Sequence, residues 1–183
     1  MTIRQAMLGV LLVTAMLGGA EPPKVLFSEK FTGPAPGGVP AGWEFWTPTP
    51  RMKLATAAQP GSFRMAGNGN PHAKGRLWRK LDGFQTGHWY RFEVRFTASG
   101  IRNPNNALLM LVEMAGSQNT RLLTIEKRDG EQFQAGLILQ MPEIAKGSAM
   151  LHLFAGFIPQ GWVQWKQVAV SEVPGYAPPS SLW

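Results

Sequence analysis

The sequence contains no cysteine. That absence excludes disulfide frameworks, thiol nucleophiles, zinc fingers and thiolate-held iron–sulfur clusters. Aspartate is scarce, with Asp82 and Asp129 the two in the chain, and no Gly-x-Ser-x-Gly elbow is present, so a Ser-His-Asp hydrolase has no support. His72, His88 and His152 show neither HExxH nor paired spacing, which leaves a metal without a ligand motif. Gly67-Asn68-Gly69-Asn70 lacks a following Gly-Lys-Ser/Thr and reads as a turn, not a phosphate loop. Only 16% of residues are charged while 44% are hydrophobic, too little charge for a disordered chain and enough apolar material for one folded domain in 183 residues. A long hydrophobic run is missing as well. The charge-free stretch from Ala6 to Leu17 is far shorter than the roughly 20 helical residues that cross a ~30 Å hydrocarbon core.

That stretch reads instead as the apolar segment of a signal peptide covering residues 1–20, with Arg4 as its positive start and Gly18-Gly19-Ala20 as the small residues before cleavage. The expected location is secreted or periplasmic, without stable membrane insertion. The 21 glycines and 15 prolines fall between short apolar runs, a turn-rich all-β composition. Strands are expected at Val25–Phe31, Trp43–Trp46, Met52–Ala57, Ser62–Met65, Gly75–Leu81, His88–Ser99, Arg121–Glu126, Phe133–Leu139 and Ala149–Phe157. In His88–Ser99 a strict period of two puts Tyr90, Phe92, Val94 and Phe96 on one side and Trp89, Arg91, Glu93 and Arg95 on the other. Ala107 to Met114 runs apolar almost throughout, as in a central strand covered on both faces, with a buried helix as the competing assignment. In Trp162–Val173 the alternation of Val163 and Trp165 resumes at Val168 and Val170 one residue out of step, which a β-bulge accommodates. The expected fold is all-β: a two-sheet antiparallel β-sandwich, a jelly roll, over residues 21–173, with 174–183 a Pro-rich tail or linker.

The Phe27-Ser28-Glu29-Lys30-Phe31 strand, the Val39-Pro40-Ala41-Gly42-Trp43 loop, Trp89-Tyr90-Arg91-Phe92 and Gly161-Trp162-Val163-Gln164-Trp165 occur in one order. That order resembles the carbohydrate-binding-module jelly rolls of the CenC type, within the galactose-binding-like superfamily. Gly42-Trp43-Glu44-Phe45-Trp46 with Gly67-Asn68-Gly69-Asn70-Pro71 is also similar to the N-terminal accessory domain of secreted carbon–nitrogen hydrolases of the nitrilase superfamily. The resemblance implies a non-catalytic glycan binder and a hydrolase catalytic domain as a second partner. Nitrilase-type chemistry needs a cysteine nucleophile, so this chain cannot contain that catalytic domain. Members of the carbohydrate-binding group often place acidic residues just after the aromatic of the last strand. Here Lys166 and Gln167 stand there, a departure that speaks against the family's structural calcium, and no cofactor is expected.

The residues themselves point to sugar. Seven tryptophans exceed what a 20.1 kDa core needs. Indole faces stack on the C–H face of a sugar ring, and fixed Arg, Glu and Gln groups satisfy its hydroxyls. The expected ligand-binding set is Arg76, Trp78, Trp89, Arg91, Glu93, Trp162 and Gln164 on one concave aromatic and polar sheet face, with Arg79 and Arg95 as further polar framing. Trp43, Trp46 and Trp165 also suit plugs at the open ends of the core. The net charge of +7 fits acidic polysaccharides as well as ordinary solubility, and the signal peptide argues against nucleic acid. Two alternatives stay open: a structural accessory domain of a secreted hydrolase that binds no glycan, and a small glycan hydrolase or lyase using paired carboxylates from Glu29, Glu93, Glu113, Glu126 or Glu172.

Overall fold

Short alternating segments separated by glycine and proline cannot bury their apolar sides alone, and here they do so by pairing into two antiparallel sheets laid face to face. The computed structural model describes residues 23–31, 38–115 and 119–178. Residues 1–20, read above as a signal peptide, and the end of the Pro-rich tail, 179–183, lie outside the described residues.

The strands are β1 (Val25–Glu29), β2 (Glu44–Trp46), β3 (Ala55–Gln59), β4 (Ser62–Ala66), β5 (Lys74–Asp82), β6 (Trp89–Ser99), β7 (Leu108–Glu113), β8 (Thr120–Leu122), β9 (Thr124–Asp129), β10 (Gln132–Gln140), β11 (Ser148–Gly156) and β12 (Trp162–Glu172). A seven-stranded sheet runs β3-β4-β12-β6-β10-β9, with β1 also paired to β12; a five-stranded sheet runs β2-β5-β11-β7-β8. Every strand pair is antiparallel.

The core is the inner face of both sheets. Tyr90, Phe92, Val94 and Phe96 of β6 meet Val163, Trp165, Val168 and Val170 of β12, and from the other sheet Leu77, Met110, Val112, Leu151 and Leu153 close the layer. All are buried, and each large aliphatic or aromatic side chain of this kind is worth about 1.5–3 kcal/mol of transfer free energy. The expected bulge lies in β12 between Trp165 and Gln167: Trp165 opposes Phe96 and Gln167 opposes Arg95, leaving Lys166 as the inserted residue.

Three segments depart from the sequence reading. Pro50–Met52 forms a 3-10 turn, because Pro50 supplies a preset φ at its start, and extended structure begins only at Ala55. Arg121–Glu126 is not one strand. It breaks at Leu123, which is buried and bonds through its N–H to the Met110 carbonyl, so β8 ends one sheet and β9 begins the other. In β7 only Leu108, Met110 and Val112 are buried; Leu109, Leu111 and Glu113 face outward and are half-buried, so the strand is covered on one side and not on both. A single helical turn, α1 (Pro104–Ala107), leads into it.

A polar clamp ties the sheets at one edge. Glu29 at the end of β1 accepts hydrogen bonds from Trp43 Nε1 at 3.0 Å and from an Arg79 terminal nitrogen at 2.7 Å. The Arg79 guanidinium also lies 4.8 Å from the Phe27 ring centroid. Arg79 therefore points between the sheets and not onto an outer face. Gly42, at φ +75°, leaves room for it: a Cβ there would stand 3.0 Å from the guanidinium.

Candidate ligand-binding face

The alternation that buries one side of each strand sets the other side out in rows. On the five-stranded sheet the register aligns Trp46, Arg76, Phe154 and Leu109 in one row. The next row is Glu44, Trp78, His152, Leu111 and Leu122, and the third Lys80, Met150, Glu113 and Thr120. This outer face is unusually apolar for a side turned to solvent. Trp46 is 44% exposed and Leu122 54%, whereas an ordinary antiparallel strand alternates apolar-in with polar-out.

Within it lies a small group of polar side chains short of partners. The Arg76 guanidinium carbon lies 5.3 Å from the Trp46 ring centroid, its Nε is buried without a hydrogen bond, and among the described residues no ion pair engages it. His152, although on the outer side of β11, is only 2% exposed, hemmed in by Trp78 on one neighbouring strand and Leu111 on the other. Its Nε2 lies 3.2 Å from Glu113 Oε2, too oblique for a full hydrogen bond, and its Nδ1 has no partner. Burial, and next the charge of Arg76, pushes the His152 pKa below its ordinary value, while Glu113 pulls the other way. The imidazole is thus neutral at pH 7. A buried polar group without a partner costs on the order of 1–3 kcal/mol.

The outer face of the seven-stranded sheet is built differently. Arg91 is bonded to Glu126 and Glu93, which raises its pKa further above the ordinary value, with the hydrogen bond to Glu126 as the largest cause. Gly136 makes that reach possible, since a Cβ there would stand 2.6 Å from Glu126 Oε1. Arg95 Nε bonds Glu93 at 2.9 Å, Gln164 bonds Gln59 and Ser62, and His88 pairs with Glu172 at 2.5 Å. The two tryptophans of this face are also engaged. Trp89 packs on Tyr176, 5.0 Å between centroids, as residues 173–176 turn back across the start of β6, and the Arg64 guanidinium lies 4.6 Å from the Trp162 ring.

The seven sequence-derived site residues therefore fall on opposite sides of the sandwich. Arg76 and Trp78 stand together on the five-stranded face; Trp89, Arg91, Glu93, Trp162 and Gln164 stand on the seven-stranded one, mostly satisfied by one another and their neighbours. Of the tryptophans read as plugs, Trp43 and Trp165 are buried, while Trp46 is the exposed one beside Arg76. Sequence reading missed Phe154, His152, Leu111 and Leu122. Their signal was present in the outward positions of Ala107–Met114, Arg121–Glu126 and Ala149–Phe157, largely apolar where a solvated face should be polar.

Each of the five strand glutamates weighed as catalytic acids has a basic neighbour: Glu29 with Arg79, Glu93 with Arg91 and Arg95, Glu113 with His152, Glu126 with Arg91, and Glu172 with His88. Among the described residues, no group of three or more His, Asp or Glu side chains is arranged to hold a metal ion, and no helix is long and apolar enough to cross a membrane.

No protein-family model matches the sequence, and no curated protein matches it. Solved structures do resemble it. The CBM22-1 xylan-binding domain of Paenibacillus barcinonensis Xyn10C aligns with a TM-score of 0.52 at 13% identity, over 86% of this chain and 100% of that one. A CBM4 structure aligns at 0.50 and 10% identity, over 76% and 92%. The enzymatically active domain of bacteriophage CBA120 tailspike protein 4 aligns at 0.53 and 11% identity, over 73% of this chain but only 20% of the tailspike chain. The fold is the jelly-roll-like sandwich of carbohydrate-binding modules, as the sequence resemblance implied, and at these identities the likeness concerns the fold alone.

Proposed function

We propose that this chain is a non-catalytic glycan-binding module whose ligand lies on the outer face of the five-stranded sheet. The observation that carries the reading is Trp46 and Arg76: an exposed indole beside a guanidinium with a buried, unpartnered Nε. The indole offers a platform for the C–H face of a sugar ring, and Arg76 donates to the hydroxyl or ring oxygens at its rim. Trp78, Phe154 and Leu111 extend the apolar floor over three further strands, enough for more than one sugar unit, since strands lie about 4.8 Å apart. The fold shared with a xylan-binding domain adds support, as does the pairing of Glu29, Glu93, Glu126 and Glu172 with basic side chains. The signal-like residues 1–20 support work outside the cytoplasm, secreted or periplasmic.

One observation favours a second reading. Leu122 is more than half exposed and pairs across the strands with Leu111, an apolar edge that also suits the surface of a protein partner such as a hydrolase domain. Tryptophan fluorescence titrations with neutral and acidic oligosaccharides separate the two. The glycan reading expects a saturable change that Trp46→Ala and Arg76→Ala each weaken at least tenfold while the fold survives. No change with any oligosaccharide, or a change that both variants retain, overturns it.

A further inference from the structure

The seven-stranded face is divided. Toward Trp89 its charged groups neutralise one another, as described above, but beyond Glu93 they do not. There the register sets Gln167, Arg95, Gln134 and Lys127 in one row, and Thr97, Gln132 and Asp129 in the next. These rows, with Phe96 and Phe133 also in the lining, border a depression of about 510 Å³ closed by Lys30 after β1 and by Gly61 in the β3–β4 turn, a size usual for ligand sites.

Its chemistry is one-sided. Lys30, Lys127 and Lys166 come from three different strand regions and make no hydrogen bond or ion pair among the described residues. Arg95 is tied to Glu93 through Nε alone, which leaves its terminal nitrogens to the depression. Lys166 is there because of the β12 bulge, which inserts it opposite no residue of β6 and re-aims it to the same side as Gln167. Against four cations the lining holds one acid, Asp129, with no cation within 4 Å among the described residues. The side chains of Gln132, Gln134, Gln167 and Thr97 are likewise unpartnered, so both donors and acceptors are open beside the positive charge. Elsewhere on this face such groups have found each other; here they have been left apart.

We infer that this depression is a second, anion-selective site, which takes an oligosaccharide bearing carboxylate or sulfate groups. The lysines and Arg95 bind the anionic groups by charge-assisted hydrogen bonds, and the glutamines and Thr97 bind the hydroxyls between them. The site stands on the opposite side of the sandwich from Trp46 and does not depend on the reading of that face.

The test is amide chemical-shift mapping and calorimetry on the purified protein with oligogalacturonate, a sulfated oligosaccharide and a neutral xylo-oligosaccharide. Either acidic ligand should shift the amides of Gln132, Gln134, Lys127 and Gln167. The double variant Lys127→Ala, Lys166→Ala should weaken that binding at least tenfold with a dispersed, native-like spectrum, and salt raised from about 0.05 M to about 0.5 M should weaken it further. Preference between the two acids identifies the anionic group. Arg121→Ala, at the edge of the other sheet, should leave acidic-ligand binding within twofold. No shift on this face with either acidic ligand overturns the inference. So does a loss on Arg121→Ala as large as on the double variant, which would mark diffuse attraction to a basic protein.

Discussion

Acid should weaken this fold through one side chain. His152 sits on β11 with Arg76 beside it on β5 and Glu113 beside it on β7, is 2% exposed, and has its pKa held below the ordinary value of 6.5, chiefly by burial. A histidine whose folded-state pKa is lowered contributes nothing to the pH dependence of stability while both states are neutral. As pH falls through about 6.5 the unfolded chain takes up a proton that the folded chain refuses, so stability drops with falling pH. One refused proton is worth at most about 1.4 kcal/mol per pH unit, which sums to about 1.4 kcal/mol between pH 7.5 and 5.5 and to a few degrees in Tm. The readout is the difference between the native protein and His152→Leu, which keeps comparable volume without a titrating ring. Urea denaturation followed by tryptophan fluorescence at half-unit pH steps gives both curves. The native protein should lose stability relative to the variant below pH 6.5 and run parallel to it above pH 7. Parallel curves throughout, or a native protein that gains on the variant in acid, would refute the argument that the imidazole is buried neutral.

Other substitutions sort the structural interactions by strength. Glu29→Ala removes both bonds of the clamp, leaving the Trp43 N–H unpaired and the Arg79 guanidinium with the Ala41 carbonyl alone, so denaturant unfolding should show a loss of about 1–3 kcal/mol. Glu126→Ala removes a partner of Arg91 on an open face, and the same assay should show no more than about 1 kcal/mol. Gly67→Ala should be far worse than its size suggests, because the new Cβ would stand 1.9 Å from the Ile158 carbonyl oxygen, against backbone that the Gly67 N–H bond to Gly161 holds in place. A loss of about 2–3 kcal/mol or a failure to express folded is expected, and near-native thermal stability would contradict the packing described.

Much of the sandwich was legible because burial on one side writes itself into the chain with period two. Tyr90, Phe92, Val94 and Phe96 declare the inner face of β6 with no tertiary information, and the phase slip after Trp165 declares the bulge. What one strand cannot tell is which sheet it joins. β5 and β6 are neighbours in sequence and both carry tryptophan and arginine outward, yet they lie in opposite sheets, so a site assembled from both was divided when the chain folded. The apolar outer face misled for a related reason. Leu109 and Leu111 look like core from sequence, because an exposed apolar face and a doubly buried strand have the same composition, and only the place of β7 in the sheet separates them. Arg79 was lost to the clamp because its partner Glu29 lies fifty residues earlier.

The central claim is that sugar binds the five-stranded face, and amide chemical-shift mapping during titration with neutral oligosaccharides, beginning with xylo-oligosaccharides, tests it most directly. The account predicts saturable shifts clustered on β2, β5, β11 and β7, around Trp46, Arg76, Trp78, His152 and Phe154, including the indole N–H signals of Trp46 and Trp78. Neutral-sugar shifts confined to the Trp89–Trp162 side of the sandwich, or none anywhere with every oligosaccharide tried, would contradict it.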